Sequence, residues 1–124
     1  MLTIILDARP LVAACDRNDD HNAWATAEML TRKGGFIVTS AAVAEATHLL
    51  RNGPLALAVL SAIIGEMTVE DPAPIAVLAE MQLWSTRMDY ADACAVLLAR
   101  ECPVPFRLAR LGGRGICRSG PGRA

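Results

Sequence analysis

Four acidic residues stand where chemistry could be done: Asp7, directly after the apolar run 2–6; Glu45, inside an alanine-rich stretch; and Asp89 with Asp92, three positions apart. Asp92 is the most telling. Ala91, Ala93, Cys94, Ala95, Val96, Leu97, Leu98 and Ala99 surround it, leaving that helix almost no polar face, so it is expected to be buried. An ionised carboxylate in such surroundings is costly unless it is paired or coordinates a metal. Asp89 falls on the same side of the helix, near its start. Carboxylates held in this way suit a hard divalent cation, Mg²⁺ or Mn²⁺. Taken singly, each acid has a plainer role. Asp7 can cap a helix before Pro10, Asp89 can cap the helix that carries Asp92, and Glu45 can be a solvated helix residue, although Ala42, Val43, Ala46 and Leu49 tilt it inward. A favourable place at the helix dipole would not explain the apolar surroundings of Asp92. Jointly, the four predict a shared pocket.

The elements that must position them alternate. Leu2–Leu6 reads as a strand buried on both faces, and Pro10 fits the first turn of a helix that runs on through Ala14. After the polar break 16–20, a second helix is expected from His21 to Lys33, ended by Gly34-Gly35. Residues 36–39 form a second strand, Ser40 caps a helix from Ala41 to Arg51, Asn52-Gly53 ends it, and Pro54 starts another helix through Ile64. Residues 67–69 give a third, short strand. Asp71-Pro72 opens a helix to about Arg87, and a last helix spans Tyr90–Arg100. This alternation predicts a three-layer α/β fold with a short central parallel sheet flanked by helices. Ligands bind outside the carboxyl ends of the strands in such sheets, and Asp7 and Glu45 belong at that rim. After residue 105 the pattern fails. The prolines at 103 and 105 make 103–108 a poor strand, so the chain divides into a domain over 1–106 and an Arg/Gly-rich tail over 107–124, expected to be disordered or aberrant.

A chain of 124 residues that is 53% hydrophobic is one domain with a substantial core. No apolar run has the length of a membrane span and the N-terminus shows no secretory signal, so a cytoplasmic protein without a membrane partner is expected. Cys15, Cys94, Cys102 and Cys117 include no Cys-x-x-Cys pair, which argues for reduced thiols and against zinc. All 13 acidic residues lie in 1–106 with seven basic ones, while 107–124 carries five arginines and no acid. An acidic body does not resemble a nucleic-acid binder that relies on a basic surface, but bound cations can invert the local field. His21 is a loop or cap residue with a weak claim on substrate, and His48, one turn after Glu45, is read as packing. Trp24 and Trp84 occur at helical core spacing and are both expected in the core.

These residues resemble a known family. Asp7-Ala-Arg-Pro-Leu-Val-Ala, Asp20-His21-Asn22-Ala23-Trp24-Ala25, the Glu45 segment with His48-Leu49-Leu50-Arg51, and Met88-Asp89-Tyr90-Ala91-Asp92-Ala93 look like a PIN domain of the VapC type over residues 2 to about 102. The resemblance implies a metal-dependent ribonuclease, the toxin of a type II toxin–antitoxin pair, with RNA as substrate, a cognate antitoxin as partner and room for a homodimer. Carried over by position, Asp7, Glu45 and Asp92 match the family's main metal-binding and catalytic acids, and Asp89 an accessory ligand. Two departures stand out. Arg9 occupies a position where the family usually has a small residue, and its guanidinium can compete with metal for Asp7. The family's closing strand, with a Thr-x-Asp-like segment and a following Asp-Phe, has no counterpart. A shifted reading frame after residue 105 would produce such a tail, and weak or absent nuclease activity is the expectation. A binding module that has lost catalysis is therefore the second reading. A receiver-like phosphoacceptor domain ranks last, because it would want a late lysine near the acids and the sole lysine is Lys33.

Overall fold

The computed structural model describes residues 3–31, 35–84, 87–101 and 106–109. Its elements run β1 (Thr3–Leu6), α1 (Ala8–Cys15), α2 (Asn22–Thr31), β2 (Phe36–Val38), α3 (Ser40–Leu49), α4 (Pro54–Ile64), β3 (Thr68–Val69), α5 (Pro74–Trp84), α6 (Tyr90–Glu101) and β4 (Phe106–Ala109). The strands form one sheet in the order β3-β2-β1-β4, with every pairing parallel. Parallel neighbours need long crossovers, and the helices between the strands supply them.

β1 sits inside the sheet and is apolar on both faces for that reason. Ile4 and Leu6 pack with Leu11 and Val12 of α1, Ala42 and Ala46 of α3, and Leu60 of α4. Ile5, on the opposite face, packs against Ala95 and Leu98 of α6. A further cluster of Val77, Ala93 and Cys94 joins α5 to α6. Helices thus cover both faces, giving the three layers that the alternation predicts.

The structure departs from the sequence reading in places. A strand does form at Phe106–Ala109, with Thr3 opposite Phe106 and Leu6 opposite Ala109. The described strand begins at Phe106, and the two prolines that argued against it, at 103 and 105, lie outside the described residues. The rest of the expected tail, 110–124, lies outside the described residues, as do Lys33, Cys102 and Cys117. α3 is capped by Thr39 rather than Ser40: the Thr39 hydroxyl accepts from the Ala42 N–H at 3.1 Å. The turn after α3 places Arg51 and Asn52 at φ 54° and 53°, and Gly53, at φ −60°, caps α4 instead of ending α3. Left-handed backbone is tolerable for asparagine and unfavourable for arginine, so the turn is held by its bonds, including Asn52 N–H to the Thr47 carbonyl at 3.1 Å.

The two tryptophans are not core residues. Trp24 is 46% and Trp84 48% exposed. α2 buries only Ala25, with Met29 one turn on half-buried against the core, and Trp24 falls off that narrow line. Among the described residues, no helix is long and apolar enough to cross a membrane.

Candidate functional site

Asp7 follows the last residue of β1 at the carboxyl rim of the sheet and caps α1, its Oδ1 accepting from the Ala8 N–H at 2.8 Å. The plainer role open to Asp7 in the sequence is therefore present, and it leaves the carboxylate at the rim. Glu45 lies five residues into α3 and is exposed, against the inward tilt expected of it. The buried line of α3 runs through Ala42 and Ala46, small residues that let the helix sit close to the sheet and leave Glu45 off that line.

Asp89 and Asp92 are brought together, but as a reciprocal cap. The Asp92 N–H donates to Asp89 Oδ1 at 2.8 Å and the Asp89 N–H reaches Asp92 Oδ2 at 3.4 Å. This is a capping box with aspartate in both roles. Asp92 is therefore not the buried charge the sequence suggested. α6 begins at Tyr90, which places Asp92 in the first turn and half-buried, while the fully buried positions are Ala93, Cys94, Ala95 and Leu98.

His21 is exposed in the turn before α2, its N–H donating to Asp19 Oδ1 at 2.8 Å. His48 is exposed in the last turn of α3 and Arg9 is exposed on α1. Asp7, Glu45 and Asp92 offer the oxygen donors that Mg²⁺ or Mn²⁺ takes. Among the described residues, however, no three His, Cys, Asp or Glu side chains gather so as to hold a metal ion. The chemistry of the donors fits a hard cation, and the described arrangement does not preassemble one.

Two features went unread in the sequence. The first is a groove of about 910 Å³ beside the starts of α3, α5 and α6, lined by Ser40, Ala41, Asp71, Asp89, Tyr90 and Cys94 among others. Asp71 follows β3 and binds the start of α3: Oδ1 accepts from the Ser40 N–H at 2.7 Å and Oδ2 from the Ser40 hydroxyl at 2.6 Å. Burial pushes the Cys94 thiol up, and the negative charges of Asp71 and Asp89 push it further. Cys15, away from these acids, is raised to about 11 by burial alone. Both cysteines are free thiols.

The second is Glu80, only 4% exposed on α5. Arg100 of α6 meets it in a two-pronged pair, Nη1 to Oε2 and Nη2 to Oε1, both at 2.8 Å, and the Trp84 indole N–H donates to Oε1 at 3.0 Å. This explains the half-exposed Trp84, whose polar edge is tied to a carboxylate at the margin of α5. The signal was present in the sequence as a lone acid between Val77 and Met81. Hydrogen bonds from Arg100 and then Trp84 hold the Glu80 carboxyl below its usual 4.5. A carboxyl lowered by folding stabilises the protein above its unfolded pKa, and that contribution fades as pH falls through the folded value. Thermal midpoints of the parent and Glu80→Gln should therefore differ most at neutral pH and converge as pH falls below the usual 4.5. A gap that stays constant through that fall would show that the pair's charge is irrelevant to stability.

No protein-family model and no curated protein matches the sequence. Among solved structures, the fold is similar to that of the Mycobacterium tuberculosis toxin VapC20, described as cleaving the sarcin–ricin loop. The TM-score is 0.68 at 14% identity, covering 80% of this chain and 82% of that one. At that identity the likeness is one of fold: the chain has a PIN-like α/β architecture.

Proposed function

We propose that this chain is a PIN-type ribonuclease that hydrolyses RNA phosphodiester bonds with Mg²⁺ or Mn²⁺ as cofactor. In this reading it is a cytoplasmic toxin held by a cognate antitoxin, with Asp7, Glu45 and Asp92 as its principal carboxylates and Asp89 as an accessory one. His21 is assigned no more than a contact to the RNA. The observation that carries the reading is Asp7 at the end of β1, at the rim where parallel α/β sheets take their ligands. It is supported by the likeness of fold to a toxin described as cleaving the sarcin–ricin loop. Because the described geometry does not preassemble the metal's ligands, the proposal stands on fold and rim rather than on a coordination shell.

A second reading, a PIN-like binding module without catalysis, is favoured by a specific observation. Oxygens of Asp7, Asp89 and Asp92 accept from backbone N–H groups at helix starts, a sufficient structural reason for all three. Two measurements separate the readings. Incubation with structured RNA and Mn²⁺, against the same mixture with EDTA, should give metal-dependent cleavage. A thermal scan should show a midpoint that rises with Mn²⁺, since a ligand bound only by the folded state stabilises it by mass action. No cleavage and an unchanged midpoint would leave the binding module.

A further inference from the structure

The carboxylate of Asp71 does something that helix capping alone does not require. α3 already has its own cap in Thr39, which is buried and whose hydroxyl binds the Ala42 N–H. Asp71 comes from 31 residues away and adds two short bonds one position later, to the Ser40 N–H and hydroxyl. The strand before it is fixed too, because Glu70 N–H extends the β2–β3 pairing by donating to the Val38 carbonyl at 3.0 Å. The start of α3 is therefore tied to a rigid point at the carboxyl ends of β2 and β3. Ser40 is held by backbone and side chain at once, which restricts both the height of the helix and its rotation about its axis. Glu45 follows Ser40 by five residues, about 7.5 Å along a helix whose start is set in this way. The residues that α3 buries fully, Ala42 and Ala46, are small, and Val43 packs only partly buried beside them. The tie at Ser40 therefore adds a restraint on rotation that this modest packing surface supplies less firmly.

We infer that Asp71 is a positioning residue, fixing α3 so that Glu45 stands at a defined place relative to Asp7 on the rim. This rests on the ribonuclease reading for its effect on activity, but not for its effect on Glu45. Asp71 acts through Ser40 and α3 and is not itself a catalytic residue.

The test compares the full chain with Asp71→Ala, Asp71→Asn and Leu60→Ala, the last as a core variant on α4 that loses stability while removing neither of the bonds at Ser40. In Mn²⁺-supported RNA cleavage below all melting midpoints, Asp71→Ala should lower kcat about tenfold with KM changed less than about twofold. Asp71→Asn should recover most of that loss, because its amide oxygen still accepts from the Ser40 N–H and its NH₂ can donate to the hydroxyl. Leu60→Ala should keep the parental kcat. Independently of activity, carbon-13 NMR of the glutamate carboxyls should show the Glu45 signal displaced in Asp71→Ala and restored in Asp71→Asn, with Glu66 unmoved. A parent that cleaves no RNA overturns the ribonuclease reading alone, and the NMR comparison then decides the role of Asp71. An unmoved Glu45 signal in Asp71→Ala, or equal damage by Asp71→Asn or Leu60→Ala, overturns the inference.

Discussion

Ile5→Ala is expected to cost about 3–5 kcal/mol of folding stability, the upper part of the range for truncating a buried aliphatic side chain. Ile5 has no exposed surface and lies in β1, paired on one side with Ile37 of β2 and on the other with Leu108 of β4. Its side chain packs against Ala95 and Leu98 of α6, with Ile37 and Ala99 at the edge. Two of those neighbours are alanines, which have no side-chain freedom with which to fill the space, and the strand cannot shift without breaking two ladders. The cavity should therefore persist. Against a typical domain stability of about 5–15 kcal/mol, the loss is a large fraction of the total. Urea denaturation read by circular dichroism measures it. A loss below about 1 kcal/mol would mean that α6 settles onto the sheet and closes the gap.

Asp7→Asn should slow RNA cleavage by about two orders of magnitude, or ~2.7 kcal/mol in the barrier, while leaving the fold intact. Asparagine caps a helix about as well as aspartate, so its side-chain oxygen can take over the bond to the Ala8 N–H and the thermal midpoint should hardly move. What disappears is the negative charge at the end of β1. Asp7→Ala removes charge and cap together, and should add a stability loss of about 1 kcal/mol to the same loss of cleavage. Comparing the two variants separates the structural role of this carboxylate from the chemical one. Parental cleavage by Asp7→Asn would reduce Asp7 to a helix cap and favour the binding module.

The layered α/β architecture was legible because its signals are local. The nearly continuous apolar run of β1 announces a strand covered on both faces, and Pro54 with Gly65 brackets α4 within a residue. Asp92 was misread for a reason of geometry. Its neighbours in sequence are apolar, but in the first turn of a helix a side chain can return to the cap, and the reciprocal bonds with Asp89 satisfy both residues there. β4 is hard to read because the prolines at 103 and 105 precede it in sequence, while the four residues that pair with β1, Phe106–Ala109, include none. Asp71 and Glu80 escaped because their partners are remote. The Ser40–Asp71 pair spans 31 residues and the Glu80–Arg100 pair 20, distances at which no periodicity carries information. Candidate acids could be named from the chain, whereas their mutual placement depends on how α3 and α6 meet the sheet.

The sheet order also has a consequence for how the chain comes off the ribosome. β1 emerges ahead of every other described element, yet one of its two neighbours is β4, so that Thr3 waits for Phe106 across more than a hundred residues of synthesis. Until then only the β2 side can zip up, and the open side of β1 presents unpaired N–H and C=O groups to whatever is nearby. Closing so long a loop is slow and is rewarded only when the last strand arrives. A nascent chain stalled after α6 would thus hold its helices around a sheet whose β1 edge is still open, a state prone to pair with another chain until β4 arrives.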